Sequence, residues 1–105
     1  MELKSPGYPV HYFDNITCEW NITVAKHNQI LLVFQEFQTE PEYDYLEIYQ
    51  VIDGNKSLSL NINGSVQVPF YMSSVNNIVI NFRTNQMNSK FTGFHITMLK
   101  YNSCK

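Results

Sequence analysis

The sequence predicts an all-β fold, an antiparallel two-sheet sandwich, and three observations carry that expectation. Val, Ile, Thr, Phe, Tyr and Trp supply 38 of the 105 residues, whereas alanine occurs once, at Ala25, so the propensities exclude a helical bundle. Short runs of alternating apolar and polar residues recur between turn signals, with no helical segment to cross between parallel strands. At 12.3 kDa the chain holds one core and no more, so residues 1–105 read as a single domain.

Taken in order, Cys18-Glu19-Trp20-Asn21-Ile22-Thr23-Val24 alternates, with Trp20, Ile22 and Val24 on one face and Glu19, Asn21 and Thr23 on the other. Ile30, Leu32 and Phe34 form the next set. Leu31 and Val33 make its opposite face apolar too, which predicts a central strand buried on both sides. Leu46 and Ile48 are the inward pair of Tyr45-Leu46-Glu47-Ile48-Tyr49, and Asp53-Gly54-Asn55 is a turn signal. Ser57-Leu58-Ser59-Leu60-Asn61-Ile62 then alternates up to the turn at Asn63-Gly64, and Ile78, Ile80 and Phe82, followed by Phe94, Ile96 and Met98, complete the pattern.

Hydrophobic residues make up 44% and charged residues 15%, which excludes a disordered chain, and a net charge of -2 offers nucleic acid no grip. The longest apolar run, Ile30 to Phe34, is far too short to insert in a membrane. Asparagine, in contrast, is abundant. Four of its twelve residues sit in N-x-[ST] acceptor sites, at Asn15, Asn21, Asn55 and Asn63, where chance would place about 1.6. Asparagines that merely populate turns are the bland alternative, but Asn21 also falls on the polar face of its strand. Surplus and placement together predict a glycosylated, extracellular protein. Two cysteines, Cys18 and Cys104, are too few for a disulfide scaffold and too far apart for a zinc knuckle; one long-range bridge or two free thiols remain open. Met1-Glu2-Leu3-Lys4-Ser5-Pro6 reads as a start imposed on an interior piece, cut from a larger secreted or membrane-anchored protein.

Ser5-Pro6-Gly7-Tyr8-Pro9, followed by Tyr12, Asn15, Cys18, Trp20 and Ile22, resembles the opening of CUB domains, the extracellular modules of complement and tolloid-like proteases, neuropilins and spermadhesins. Ile30-x-Leu32-x-Phe34-x-x-Phe37, Tyr43-Asp44-Tyr45-Leu46-x-Ile48-Tyr49, Pro69, Ser73-Ser74-x-Asn76, Ile78-x-Ile80-x-Phe82 and Phe91-Thr92-Gly93-Phe94 continue it in the family order, over nearly the whole chain. The resemblance implies a jelly-roll-like sandwich. It also brings departures: the family's usual first cysteine and its second disulfide are missing, and the Glu40–Asp44 loop is shorter than in most members. In the family the strand near Cys18 and the last strand are antiparallel neighbours, and that resemblance implies a Cys18–Cys104 bridge.

Many CUB domains bind calcium at one end of the sandwich. Carried over, the ligands are Glu40, Asp44 and Asn85, supported by Tyr12; Asn85 stands where a carboxylate is usual, which weakens the expected site. The alternative places Glu40 in a turn and Asp44 on backbone amides. The same acidic end commonly accepts a Lys or Arg of a protein ligand, which makes Tyr12, Glu40, Asp44 and the neighbouring Glu42 the recognition candidates. In Val68-Pro69-Phe70-Tyr71-Met72 the readings are a core anchor or an exposed binding loop. His11, His27 and His95 stand near no nucleophile elbow or metal-helix motif, and the four glycines form no phosphate loop, so no enzyme is expected. The expected function is non-catalytic recognition of an extracellular protein partner. A carbohydrate-binding module using Tyr71 or Tyr49, or a spacer domain, are the alternatives.

Overall fold

Residues 1–65, 69–85 and 90–102 are described by a computed structural model. They form eight strands: β1 (Glu2–Lys4), β2 (Thr17–Thr23), β3 (Gln29–Gln38), β4 (Tyr45–Ile52), β5 (Asn55–Asn63), β6 (Phe70–Met72), β7 (Asn77–Arg83) and β8 (Gly93–Tyr101). These build two antiparallel four-stranded sheets, the first ordered β1-β8-β3-β6 and the second β2-β7-β4-β5, and no helix occurs among the described residues. The all-β sandwich expected from the alternation is the observed fold.

Inward-facing residues of the two sheets meet in one core. Ile30, Leu32, Phe37, Phe94 and Ile96 come from the first sheet, and Ile22, Leu46, Ile48, Ile62, Ile78, Ile80 and Phe82 from the second. Phe94 is the hub. Its ring lies edge-on to Phe82 at 4.9 Å and to Trp20 at 5.8 Å, and stacks on Phe37 at 6.2 Å, separations at which aromatic pairs attract beyond their simple burial. The x-x spacing between Phe34 and Phe37 has a cause: the register of β3 on β8 shifts between Phe34 and Glu36, and this bulge returns Phe37 to the inner face.

The two motifs that carried the resemblance clasp each other. Phe94 N–H donates to Ser5 Oγ at 3.0 Å, and Ser5 N–H donates to the Phe94 carbonyl at 3.1 Å. Gly93 between them has φ +93°, and a Cβ there would stand 1.9 Å from Ser5 Oγ and 3.2 Å from the Tyr12 ring. Only glycine fits, which explains its place in Phe91-Thr92-Gly93-Phe94. Tyr8, after a Gly7 at φ +89°, hydrogen-bonds Glu36, which also accepts from Thr92 Oγ1 at 3.1 Å. Glu36 holds the Tyr8 phenol above the usual tyrosine range, so it remains a donor.

Three expectations change. β3 is interior to its sheet, yet Leu31 and Val33 are only half-buried, because no third layer covers the outer face of a two-sheet sandwich. Leu58 is exposed instead of inward: the register of β5 on β4 slips after Ile48, placing Leu60 opposite Ile48 but Leu58 opposite Tyr49. The strand of Cys18 and the last strand are not neighbours. β2 pairs with β7, setting Cys18 opposite Phe82, while β8 pairs with β1 and β3 in the other sheet. Phe82 packs on Phe94 at the start of β8, and β8 then runs seven residues further to Tyr101, roughly 23 Å away. The neighbourhood that implied a Cys18–Cys104 bridge is therefore missing; Cys104 itself lies outside the described residues. Among the described residues Cys18 has no disulfide partner, and burial pushes its thiol pKa up.

Candidate functional site

Three connections meet at one pole of the sandwich: the loop after β1 brings Tyr12, the β3–β4 loop brings Glu40 and Asp44, and the chain leaving β7 brings Asn85. The Tyr12 ring is 5.2 Å from Phe82, edge to face, which plants the side chain in the core and leaves its hydroxyl at the pole. Tyr12 Oη donates to Asp44 Oδ2 at 2.6 Å and accepts the Glu40 N–H at 3.0 Å. Asp44, fully buried, also accepts the Asn85 N–H on Oδ1 at 2.8 Å. One tyrosine and one aspartate thus tie all three connections together.

A brace that the sequence did not disclose supports this arrangement. Thr39, fully buried at the end of β3, donates its hydroxyl to the Asp44 carbonyl at 2.8 Å and accepts the Gly64 N–H at 2.9 Å. Asp44 is five residues on but Gly64 is 25 away, so no local pattern could have revealed that Thr39 joins the two. The turn closes on itself as well, with the Asp44 N–H donating to the Glu40 carbonyl at 3.1 Å.

Glu40 differs from Asp44 in one respect. Its Oε1 is buried and has no hydrogen-bond partner among the described residues. A carboxylate oxygen removed from water without a donor is costly, of the order of 1–3 kcal/mol or more for a charged group. Glu40, Asp44 and Asn85 offer oxygen donors only, the chemistry that suits a hard cation such as calcium. Among the described residues no group of three or more His, Cys, Asp or Glu is assembled; the set here is two carboxylates and an amide.

Tyr12, Glu40, Asp44 and Asn85 are brought together as the resemblance implied. Glu42 is exposed on the same loop at φ +72°, its N–H donating to Asn63 Oδ1 at 3.2 Å. Sequence reasoning passed over the apolar neighbours: Phe13 and Tyr43, adjacent in sequence to Tyr12 and Asp44, are 61% and 58% exposed. The alternation offered no sign of them, because loop residues follow none. All four sequon asparagines are exposed. Two of them border this pole, for Asn63 contacts Glu42 and the Asn15 N–H donates to the Asn85 carbonyl at 2.6 Å.

The aromatic platforms suggested for carbohydrate are otherwise engaged. Tyr71 is half-buried with its hydroxyl donating to Ser59 Oγ at 2.8 Å, and the Lys56 ammonium lies 5.2 Å from the centre of the Tyr49 ring. A shallow cleft at the opposite pole, about 350 Å³ between His27, Gln29, Ser74 and Asn76, has no Phe, Tyr or Trp in its lining.

Comparisons with known proteins agree with this architecture. The sequence model of the CUB domain matches residues 1–98. Zebrafish (Danio rerio) Neuropilin-1a is 35% identical over 85 residues, 76% of this chain, which spans only 9% of that relative's length. The CUB1-EGF-CUB2 domain of human MASP-1/3 superposes with a TM-score of 0.84 over 97% of this chain and 42% of that one, at 27% identity. The MASP-1 CUB2 domain, in a structure bound to Ca²⁺, superposes at 0.77 over 97% of this chain and 90% of that one; at 22% identity this speaks to fold alone. Family match and shared fold lead to one conclusion: this chain belongs to the CUB domain family.

Proposed function

We propose that the chain is a non-catalytic extracellular recognition module that binds a protein partner through the Tyr12/Glu40/Asp44 pole, with calcium completing the site. The observation that carries this reading is the buried Oε1 of Glu40, without a hydrogen-bond partner among the described residues, beside an Asp44 whose two oxygens are both bonded. A cation there would relieve the desolvated carboxylate. Glu40, Asp44 and the Asn85 side chain would hold it, with water filling the rest of a six- to eight-oxygen shell. Calcium would supply the positive charge that lets two carboxylates approach, and each would keep lone pairs for a donor from outside. The donor of best fit is a Lys or Arg side chain of the partner: its charge meets Glu40 and Asp44, and its aliphatic stem can lie against Phe13 and Tyr43. Secretion is supported by four exposed acceptor sites in a chain whose sheets otherwise carry little charge.

Calorimetric titration with calcium tests the reading. Binding in roughly the millimolar range of extracellular modules is expected, lost in Glu40→Gln; no heat at about 10 mM calcium would overturn the metal. For recognition, Asp44→Ala and Glu40→Ala should abolish capture of a partner, and unchanged capture in both would move the interface to another face.

A further inference from the structure

The outer face of the first sheet carries apolar residues that no other described residue covers. Met72, Leu31 and Leu99 stand in one row across β6, β3 and β8, Phe70, Val33 and Thr97 in the next, and Tyr101 lies beyond Leu99. Phe70 is 56% exposed, Leu99 48% and Tyr101 43%. β6 is the edge of that sheet, and its bonding is fixed by two flanking contacts. The Phe34 N–H donates to the Pro69 carbonyl at 3.1 Å and the Ser73 N–H to the Ile30 carbonyl at 2.9 Å. Antiparallel ladders alternate, so Pro69, Tyr71 and Ser73 bond towards β3 while Phe70 and Met72 turn their N–H and C=O groups outwards. The edge therefore offers two donors and two acceptors at the border of the apolar rows, with no charged residue in β6. None of the four acceptor sites lies in a strand of this sheet: Asn21, Asn55 and Asn63 are in β2 and β5, and Asn15 precedes β2.

We propose that the β6 edge and the apolar rows beside it form a second binding surface, which takes an extended, uncharged segment of a partner protein as a fifth strand of the first sheet. Unpaired backbone groups at a sheet edge bind such a segment through main-chain hydrogen bonds, and side chains on alternate residues cover the neighbouring face. The size of the surface decides between occupants. Three large side chains about half exposed and three partly so present on the order of 400 Å². A stable homodimer needs about 800 Å² from each partner, twice this. Three residues are also short enough to discourage edge pairing between copies, yet they give four hydrogen bonds to one added strand. A charge facing Leu31 and Met72 would be desolvated without an opposite partner, so the segment is neutral there. This surface lies on a sheet face and edge, and does not depend on the pole.

The test is amide NMR of the 105-residue chain titrated with the peptide acetyl-Thr-Val-Thr-Phe-Thr-Val-Thr-amide. The Phe70 and Met72 amides should shift and become protected from exchange. Phe70→Lys, at a side chain already exposed, and Met72→Pro, which removes an N–H that β3 does not use, should each weaken binding at least about tenfold with the β3–β8 shifts intact. The same peptide N-methylated on alternate residues should not bind. No shifts, shifts on another edge, or unchanged affinity in Phe70→Lys would overturn the proposal. So would a concentration-dependent dimer abolished by Phe70→Lys, which would assign the edge to a second copy, or transfer of Phe70 and Leu99 to phosphatidylcholine vesicles with no change at the backbone amides.

Discussion

The two outer faces of the sandwich are made of similar strands but meet solvent differently. On the second sheet polar groups are paired: Glu47, though it points away from the core, is buried against Arg83 at 2.5 Å, and the Arg83 guanidinium lies 5.5 Å from the centre of the Tyr45 ring. The hydrogen bond from Arg83 to Glu47 lifts the arginine further above its ordinary pKa, consistent with a charged pair. Exposed sequon asparagines stand along its two edge strands and just before one of them. On the first sheet Leu31, Val33, Phe70, Met72 and Leu99 face outwards with no cover from the described residues. The comparison teaches that alternation alone does not say which outer face is closed by its own side chains and which one waits for a partner; that depends on what stands opposite in the neighbouring strand.

The largest effect should come from breaking what both faces rest on. Gly93→Ala drives a Cβ into Ser5 Oγ at a positive φ, and Phe94→Ala empties the aromatic hub; each should cost about 3–5 kcal/mol in denaturant unfolding. A loss below about 1 kcal/mol would show that the clasp is not a shared support. Next, Glu47→Ala should destabilise by about 1 kcal/mol, since Arg83 is half-exposed and recovers water once its partner is gone. By contrast Leu99→Thr, on the open face, should change stability by no more than about 0.5 kcal/mol while reducing binding of a hydrophobic dye. If Leu99→Thr cost as much as Glu47→Ala, the distinction between the faces would fail.

The smallest effect concerns pH. His95 hydrogen-bonds Glu2 across β8 and β1, and chiefly through that bond it lowers the Glu2 pKa below its ordinary 4.5. A carboxyl whose folded pKa is depressed contributes stability above its unfolded value and loses it as pH falls through the folded one. The protection of the β1 amides, relative to their intrinsic exchange rates, should therefore fall as pH drops below about 4.5, and Glu2→Gln should remove that dependence.

The core was legible because a period of two is intrinsic to a strand: Ile22, Leu46, Ile48, Ile78, Ile80, Phe82, Phe94 and Ile96 all face inwards as the alternation required. The pole was legible only through resemblance, since Tyr12, Asp44 and Asn85 are far apart in sequence and form no local pattern. β1 and β6 were missed because three residues hold too little periodicity to read; each is a strand only because β8 or β3 lies alongside.

By itself, then, the sequence determined the strand content, the inward residues, the acceptor sites and the family, because propensity, alternation and motif spacing are local or directly readable. Tertiary structure alone decided the rest. It placed β2 and β8 in different sheets, so the strand of Cys18 and the last strand are not neighbours, and it left Glu40 Oε1 without a donor among the described residues. It also turned Phe70 and Met72 to an open edge while Tyr71 faced inwards. Each of these depends on which backbone lies beside which, and strand pairing is a long-range choice made by the whole core at once.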